Sequence, residues 1–139
     1  MKVELVRLND AFHFEATGSS EVKVYTDGAP DIGGHNLGVR PMELLLMGLA
    51  SCSAIDMVLI LKKQRQTIED FRIIVNGDRT KEADTLRSPF DKIHLQFILK
   101  GQIDPEKAAR AAQLSMEKYC SATAQFEPLA EITHEIIIN

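Results

Sequence analysis

A long apolar segment near the middle of the chain constrains the fold more than any other feature. Residues 42–61 are almost continuously apolar, and Pro41 suits the first position of a helix, where its missing N–H leaves no hydrogen bond unmade. Lys62 and Lys63 then favour a helix C-terminus. The charge-free part, residues 44–55, is only 12 residues long, whereas a membrane-spanning helix needs about 20. We therefore predict a buried central helix and no membrane partner.

This predicted helix is apolar on every side. Gly48, Ala50 and Ser51 are also small enough to let another backbone approach closely. A helix that is apolar all round has to be covered on all its faces. Because one small sheet cannot cover it, we expect the chain to form a homodimer.

The size and charge of the chain exclude several classes of protein. Its 139 residues predict a single domain over residues 1–139, and 45% apolar residues are enough for a core. The formal net charge is −4 and no basic stretch is present, so nucleic acid is not an expected partner. Glu4 and Asp10 interrupt the start of the chain, where a secretory signal would be apolar, and we expect a cytoplasmic protein.

Periodicity gives the order of the remaining elements. Three segments near the start alternate with the period of two that strands show, at residues 3–5, 12–14 and 22–24. Residues 26–39 are rich in glycine and have no period, which predicts a loop. Three further strands are predicted at residues 71–76, 93–99 and 132–138.

A second helix is predicted between the last two strands. It starts at Asp104 and Pro105, an N-cap followed by a proline, and continues to about Cys120. Its inward face is predicted to carry Ala108, Ala112, Met116 and Tyr119. The order βββ-α-ββ-α-β is typical of an α+β domain.

The chain has few residues with distinctive chemistry. The four histidines, His13, His35, His94 and His134, show no metal-ligand spacing, and we expect neither a metal nor a cofactor. The glycines at 33 and 38 are not followed by the lysine of a phosphate-binding loop. Cys52 and Cys120 lie 68 residues apart. Composition alone favours a small buried apolar residue over a reactive thiol at each position.

Three short motifs favour reactive thiols over buried apolar cysteines. Residues 41–45 (PMELL), 48–52 (GLASC) and 119–121 (YCS) resemble the OsmC/Ohr family, most closely its YhfA-like branch, and the resemblance covers residues 38–139. It implies an intertwined homodimer in which the long helices are buried between the sheets of both subunits. It also implies thiol-dependent reduction of organic hydroperoxides in the response to oxidative stress.

The resemblance assigns roles to the two cysteines. It makes Cys52 the residue that attacks the peroxide and Cys120 the residue that resolves the resulting sulfenic acid into a disulfide. The implied partners are a second copy of the chain, a small organic hydroperoxide, and a thiol or dithiol that reduces the disulfide.

The chain departs from the family pattern where the thiol is activated. Active members resemble one another in carrying an acid directly after the helix-starting proline and an arginine in the upstream loop. Here Met42 takes the place of the acid, Glu43 follows one residue late, and Arg40 is the nearest arginine. In an unbroken helix Arg40 would lie about 18 Å along the axis from Cys52, so it could act only from the partner subunit or across a break in the helix.

Other interpretations therefore stay open. Arg40 and Glu43 are candidate activators of Cys52, but residues at the start of a helix often do no more than cap it. The leading hypothesis is a thiol-dependent organic hydroperoxide reductase. The alternative is a non-catalytic or regulatory protein that binds a small ligand or senses thiol oxidation on the same dimeric fold.

Overall fold

The computed structural model describes residues 1–139 and divides into two compact units, Met1–Leu45 and Leu46–Asn139. The strands are β1 (Glu4–Arg7), β2 (Phe14–Thr17), β3 (Lys23–Thr26), β4 (Thr67–Arg79), β5 (Phe90–Gln102) and β6 (Glu131–Ile138). The helices are α1 (Pro41–Lys63), α2 (Pro105–Leu114) and α3 (Ser121–Phe126). The predicted α+β class and element order are confirmed, with the second helix divided into two.

The first unit contains an antiparallel meander in the order β1-β2-β3. Asn9 forms the first turn, because its side-chain oxygen accepts the backbone N–H groups of Ala11 and His13. The predicted loop that follows β3 holds one short 3-10 turn, Pro30–Ile32, and returns to pair Val39 with the end of β3.

The second unit is built on a sheet in the order β4-β5-β6, in which β4 is antiparallel and β6 parallel to β5. Strand β5 alternates as predicted, and its buried face carries Ile93, Leu95, Phe97 and Leu99. Strand β4 is longer than its apolar centre indicated, since it has thirteen residues, all but Glu69 paired with β5, and irregularities near both ends. At one of them, Gly101 has φ +141°, and a Cβ there would lie 2.1 Å from the Thr67 carbonyl oxygen.

Helix α1 has almost the predicted limits. Its buried residues are Leu49, Ser53, Met57 and Leu61, which follow one face at intervals of four. The opposite side stays apolar but exposed, with Ile55 at 62% and Leu59 at 52% exposure. By length and composition alone α1 could also cross a membrane, but its buried stripe and the interrupting Asp56 are features of a core helix.

The second predicted helix is interrupted, which corrects one expectation. Helix α2 ends at Leu114, the next five residues form a π turn (Ser115–Tyr119), and Cys120 precedes α3. A π turn holds one more residue than an α turn, so it rotates every later side chain relative to a regular helix. Tyr119, predicted to face inward, is therefore 50% exposed, whereas Ala108, Ala112 and Met116 are buried as predicted.

Candidate functional site

The fold brings the two cysteines together. Cys52 lies in the middle of α1 and Cys120 at the junction between the π turn and α3, and both are free thiols. The two side chains are neighbours, close enough that the Cys52 thiol raises the pKa of Cys120. Cys52 is half-buried, while Cys120 is only 5% exposed, so Cys52 is the more accessible sulfur.

The π turn explains why a cysteine, and not the tyrosine before it, occupies this position. In a regular α-helix the residue bonded to the Ser115 carbonyl would be Tyr119, four positions later. In the π turn the Cys120 N–H donates to that carbonyl at 2.8 Å, five positions later. The extra residue thus buries Cys120 and leaves Tyr119 exposed.

The surroundings of Cys120 favour its protonated form. Burial raises the pKa of Cys120 above its ordinary 9.0, and the adjacent Cys52 thiol raises it further. Hydrogen bonds from Thr123, including its backbone N–H at 3.4 Å from the sulfur, offset part of this rise. Cys120 is therefore a thiol at neutral pH, and it also caps the start of α3.

A carboxylate lies one helical turn beyond Cys52. Asp56 is the only charged residue between Leu44 and Leu61, and its Oδ2 accepts a hydrogen bond of 3.0 Å from the Ser115 hydroxyl. Ser115 itself is fully buried. The sequence analysis did not single out Ser115; a lone acid in an apolar helix, four residues after Cys52, was the available signal for a buried polar partner.

Arg40 and Glu43 lie together at the start of α1. The Glu43 carboxylate accepts the Arg40 backbone N–H at 2.8 Å, which is half of a capping box. The Arg40 guanidinium donates to the Gly38 carbonyl at 3.2 Å and to the Asn36 side chain. Within the first unit these two residues therefore cap the helix and brace the preceding loop.

That loop is organised by a residue the sequence analysis did not single out. The Asp27 side chain, 2% exposed, accepts the backbone N–H groups of Gly28, His35 and Leu37 at 2.7, 3.1 and 3.1 Å. Burial acts to raise the pKa of Asp27, but these three donors and nearby His13 outweigh it and hold the pKa below the ordinary 3.8. Its partners are backbone groups, which no motif would reveal.

Two cavities adjoin the cysteine region. The larger, about 310 Å³, begins at Asp56 and follows α1 away from Cys52 against the end of α2. Its walls are mainly apolar, formed by Leu59, Ile60, Leu114 and Tyr119, with Lys63 and Gln64 also present. A smaller cavity of about 150 Å³ includes Cys120 itself. The four histidines belong to no group of three or more side chains that could hold a metal ion.

The α+β fold with two small sheets is shared with a known protein family. The family model described as OsmC-like protein matches residues 34–135. The chain belongs to the OsmC family. The predicted family is thus confirmed.

Individual relatives agree with this assignment. Protein YhfA of Escherichia coli (strain K12) is 43% identical over 95 residues, which are 68% of this chain and 69% of YhfA. The crystal structure of a hypothetical protein from Aquifex aeolicus VF5 is 30% identical and superposes with a TM-score of 0.80 over 99% of this chain and 96% of that one. The organic hydroperoxide resistance protein OhrB of Bacillus subtilis shares the fold at 21% identity, with a TM-score of 0.64 over 97% and 96% of the two chains.

Proposed function

We propose that this protein is a thiol-dependent peroxidase that reduces organic hydroperoxides with Cys52 and Cys120. The observation that carries the proposal is the proximity of these two free thiols, which lie 68 residues apart in sequence. Membership of the OsmC family, in which OhrB is named an organic hydroperoxide resistance protein, supports it. The same chemistry gives the protein a role in resistance to oxidative stress.

The reaction has three balanced steps. The Cys52 thiolate attacks the terminal oxygen of the hydroperoxide, the O–O bond breaks, and the alkoxide leaves and takes up a proton as the alcohol. The Cys120 sulfur then attacks the Cys52 sulfenic acid, the S–O bond breaks, and the hydroxide leaves as water with the Cys120 proton. A small thiol or dithiol reduces the disulfide by exchange and is itself oxidised.

Exposure and protonation distinguish the two roles. Cys52 is the more accessible sulfur, as an attacking residue has to be. Cys120 is buried and its raised pKa keeps its proton in place until the second step, when that proton is needed for the leaving hydroxide. This assignment agrees with the order of the two cysteines that the family resemblance implied.

The larger cavity supports an organic substrate over hydrogen peroxide. Its apolar walls would favour burial of an alkyl or aryl group, and about 310 Å³ is in the range of small-ligand pockets. Because the cavity begins one turn from Cys52, an organic group bound there would carry its peroxide towards that sulfur.

Activation of Cys52 requires a second subunit in this proposal. Helix α1 is unbroken from Pro41 past Cys52, so Arg40 cannot reach along its own helix to the thiol. A homodimer that covers the exposed apolar side of α1 would supply Arg40 and Glu43 from the partner subunit. We place this dimer in the cytoplasm, because a reducing compartment keeps both thiols free.

The decisive experiment measures thiol loss under anaerobic conditions with stoichiometric cumene hydroperoxide. The native protein should lose two thiols per chain and form one disulfide. Cys52→Ser should retain its remaining thiol, and Cys120→Ser should stop at a sulfenic acid that dimedone traps. Unchanged thiols in the native protein, or equal turnover by Cys52→Ser, would refute the peroxidase.

One observation favours a second function. Met42 stands where active relatives carry an acid, and the Arg40 guanidinium is engaged by Gly38 and Asn36. A protein without an activated thiol could bind a small apolar ligand in the same cavity, or signal through its disulfide without turnover. Ligand binding with Cys52 reduced and inert to hydroperoxide would identify the binding protein, and a disulfide without repeated turnover on any dithiol would identify the sensor.

A further inference from the structure

We propose that the hydrogen bond between Asp56 and Ser115 is a positioning contact that holds Cys120 in the correct place to form a disulfide with Cys52. The inference rests on the proposed two-cysteine function and adds to it the residues that determine how efficiently the second step follows the first. Neither Asp56 nor Ser115 touches the reacting atoms in this scheme.

The first half of the contact belongs to α1. Cys52 and Asp56 are four residues apart in a continuous helix, so their side chains lie on the same face one turn from each other. The helix therefore fixes the Cβ atoms of Asp56 and Cys52 relative to each other.

The second half belongs to the π turn. Ser115 donates its hydroxyl hydrogen to Asp56 at 3.0 Å, and its carbonyl accepts the Cys120 N–H at 2.8 Å. One buried residue thus connects the α1 carboxylate to the backbone of the resolving cysteine. This hydrogen bond therefore joins the two cysteine-bearing segments one helical turn from the place where the two thiols are neighbours.

The identity of Asp56 is difficult to explain by packing alone. It is the only charged residue in an apolar segment, and removing a carboxylate from water costs free energy that an apolar side chain would not incur. In return for this cost, a carboxylate oxygen is a strong, directional hydrogen-bond acceptor for a hydroxyl. Direction matters here, because a disulfide forms only over a narrow range of separations between the two cysteines.

The test is the thiol–disulfide equilibrium of the purified full-length protein with reduced and oxidised glutathione. Oxidised glutathione takes two electrons from the Cys52 and Cys120 thiols, the disulfide forms, and two reduced glutathione molecules are released. This readout needs no peroxidase activity, so it remains interpretable if the proposed function fails.

The variants distinguish the effect of losing the hydrogen bond from the effects of losing the charge and of general destabilisation. Asp56→Leu and Ser115→Ala each delete the contact, whereas Asp56→Asn removes the charge but keeps an oxygen that can accept the Ser115 hydroxyl. Ser121→Ala is the matched control, because Ser121 follows Cys120 but its side chain is exposed. Thermal unfolding of the reduced proteins verifies that each variant is folded.

We expect Asp56→Leu and Ser115→Ala to lower the equilibrium constant for the disulfide at least about tenfold, since small displacements of reacting groups have effects of this size. Asp56→Asn and Ser121→Ala should each give an equilibrium constant within about threefold of the native value, because in both variants Ser115 keeps an acceptor for its hydroxyl. In the hydroperoxide reaction the two deletions should raise the fraction of Cys52 trapped as sulfenic acid by dimedone.

Two results would overturn the inference. Native disulfide equilibria in both folded deletion variants would show that the contact does not position Cys120. An equal loss in Asp56→Asn and Asp56→Leu would show that the charge, and not the hydrogen bond, matters. A native protein that exchanges with glutathione as predicted but ignores hydroperoxide would refute the proposed function while leaving the positioning contact intact.

Discussion

Cys120 has three structural roles at one position. It ends the π turn through its N–H, caps α3 through its sulfur, and lies beside the Cys52 thiol. Oxidation to a disulfide would join the Cys120 sulfur covalently to that of Cys52. It would also change the sulfur atom that caps α3. The redox state of one atom is thereby linked to the start of a helix.

The protonation of Cys120 can be tested in the Cys52→Ser variant, where it is the only thiol. We expect its alkylation by iodoacetamide to reach half its maximal rate above pH 9.0, because burial, the largest influence on its pKa, remains in this variant. The same variant in urea should show the value of an unperturbed thiol, about 8.5. A folded-state midpoint at or below the urea value would contradict the assignment of Cys120 as a protonated resolving thiol.

Asp27 supplies a prediction for acid stability. Because its pKa is lowered in the folded state, its contribution is fully present above the ordinary 3.8 and is lost as the pH falls through the folded value. Asp27→Asn should therefore lower the urea midpoint at pH 7 and weaken the dependence of stability on pH below about 4.

The matched control for Asp27 is Asp31→Asn, an exposed acid in the same loop. Its urea midpoints at pH 7 and pH 3 should follow those of the native protein. Equal effects of the two substitutions would mean that the three backbone hydrogen bonds to Asp27 contribute nothing specific to folding.

At the level of elements, local signals were sufficient for most boundaries. The apolar run with its proline and lysines gave α1 almost to the residue, and Asp104 with Pro105 gave the start of α2. The π turn was not predictable, because a helix with one extra residue has no distinct periodicity over five positions. The proximity of Cys52 and Cys120 was likewise expected only from the family resemblance, since no spacing rule joins residues on separate helices.

The start of α2 can be tested separately from the site. Asp104 accepts the N–H groups of Glu106 and Lys107 at 2.8 and 3.3 Å. Asp104→Ala should lower the free energy of unfolding by about 1 kcal/mol, the usual value of an N-cap, as measured by urea denaturation. Asp104→Ser should retain most of the stability, and a Ser variant as unstable as the Ala variant would contradict the capping role.

For the whole molecule, the exposed side of α1 is the feature on which the proposed homodimer depends. Sequence reasoning predicted an all-round apolar helix that one chain cannot cover, and a single chain indeed buries only one stripe of it. The geometry of a second copy could not come from the sequence, because it depends on how two surfaces fit together. Apolar patches of this kind mark surfaces that bind another molecule.

The proposed homodimer can be tested by placing a charge on this side. Ile55→Glu should convert the dimer to a monomer or a weaker dimer, because an unpaired carboxylate would be buried in the interface. Size-exclusion chromatography with light scattering gives the mass directly. Leu86→Glu, at a residue that is 89% exposed in the β4–β5 connection, should leave the mass unchanged. A monomeric native protein would contradict the proposed assembly.

The exposed apolar side of α1 also has a consequence for the synthesis of the protein. In the proposed homodimer, Ile55 and Leu59 of a newly synthesised chain would stay exposed to water until a second copy covers them, so dimerisation would compete with aggregation. If so, the yield of folded protein should increase with chaperone supply and with the concentration of newly made chains.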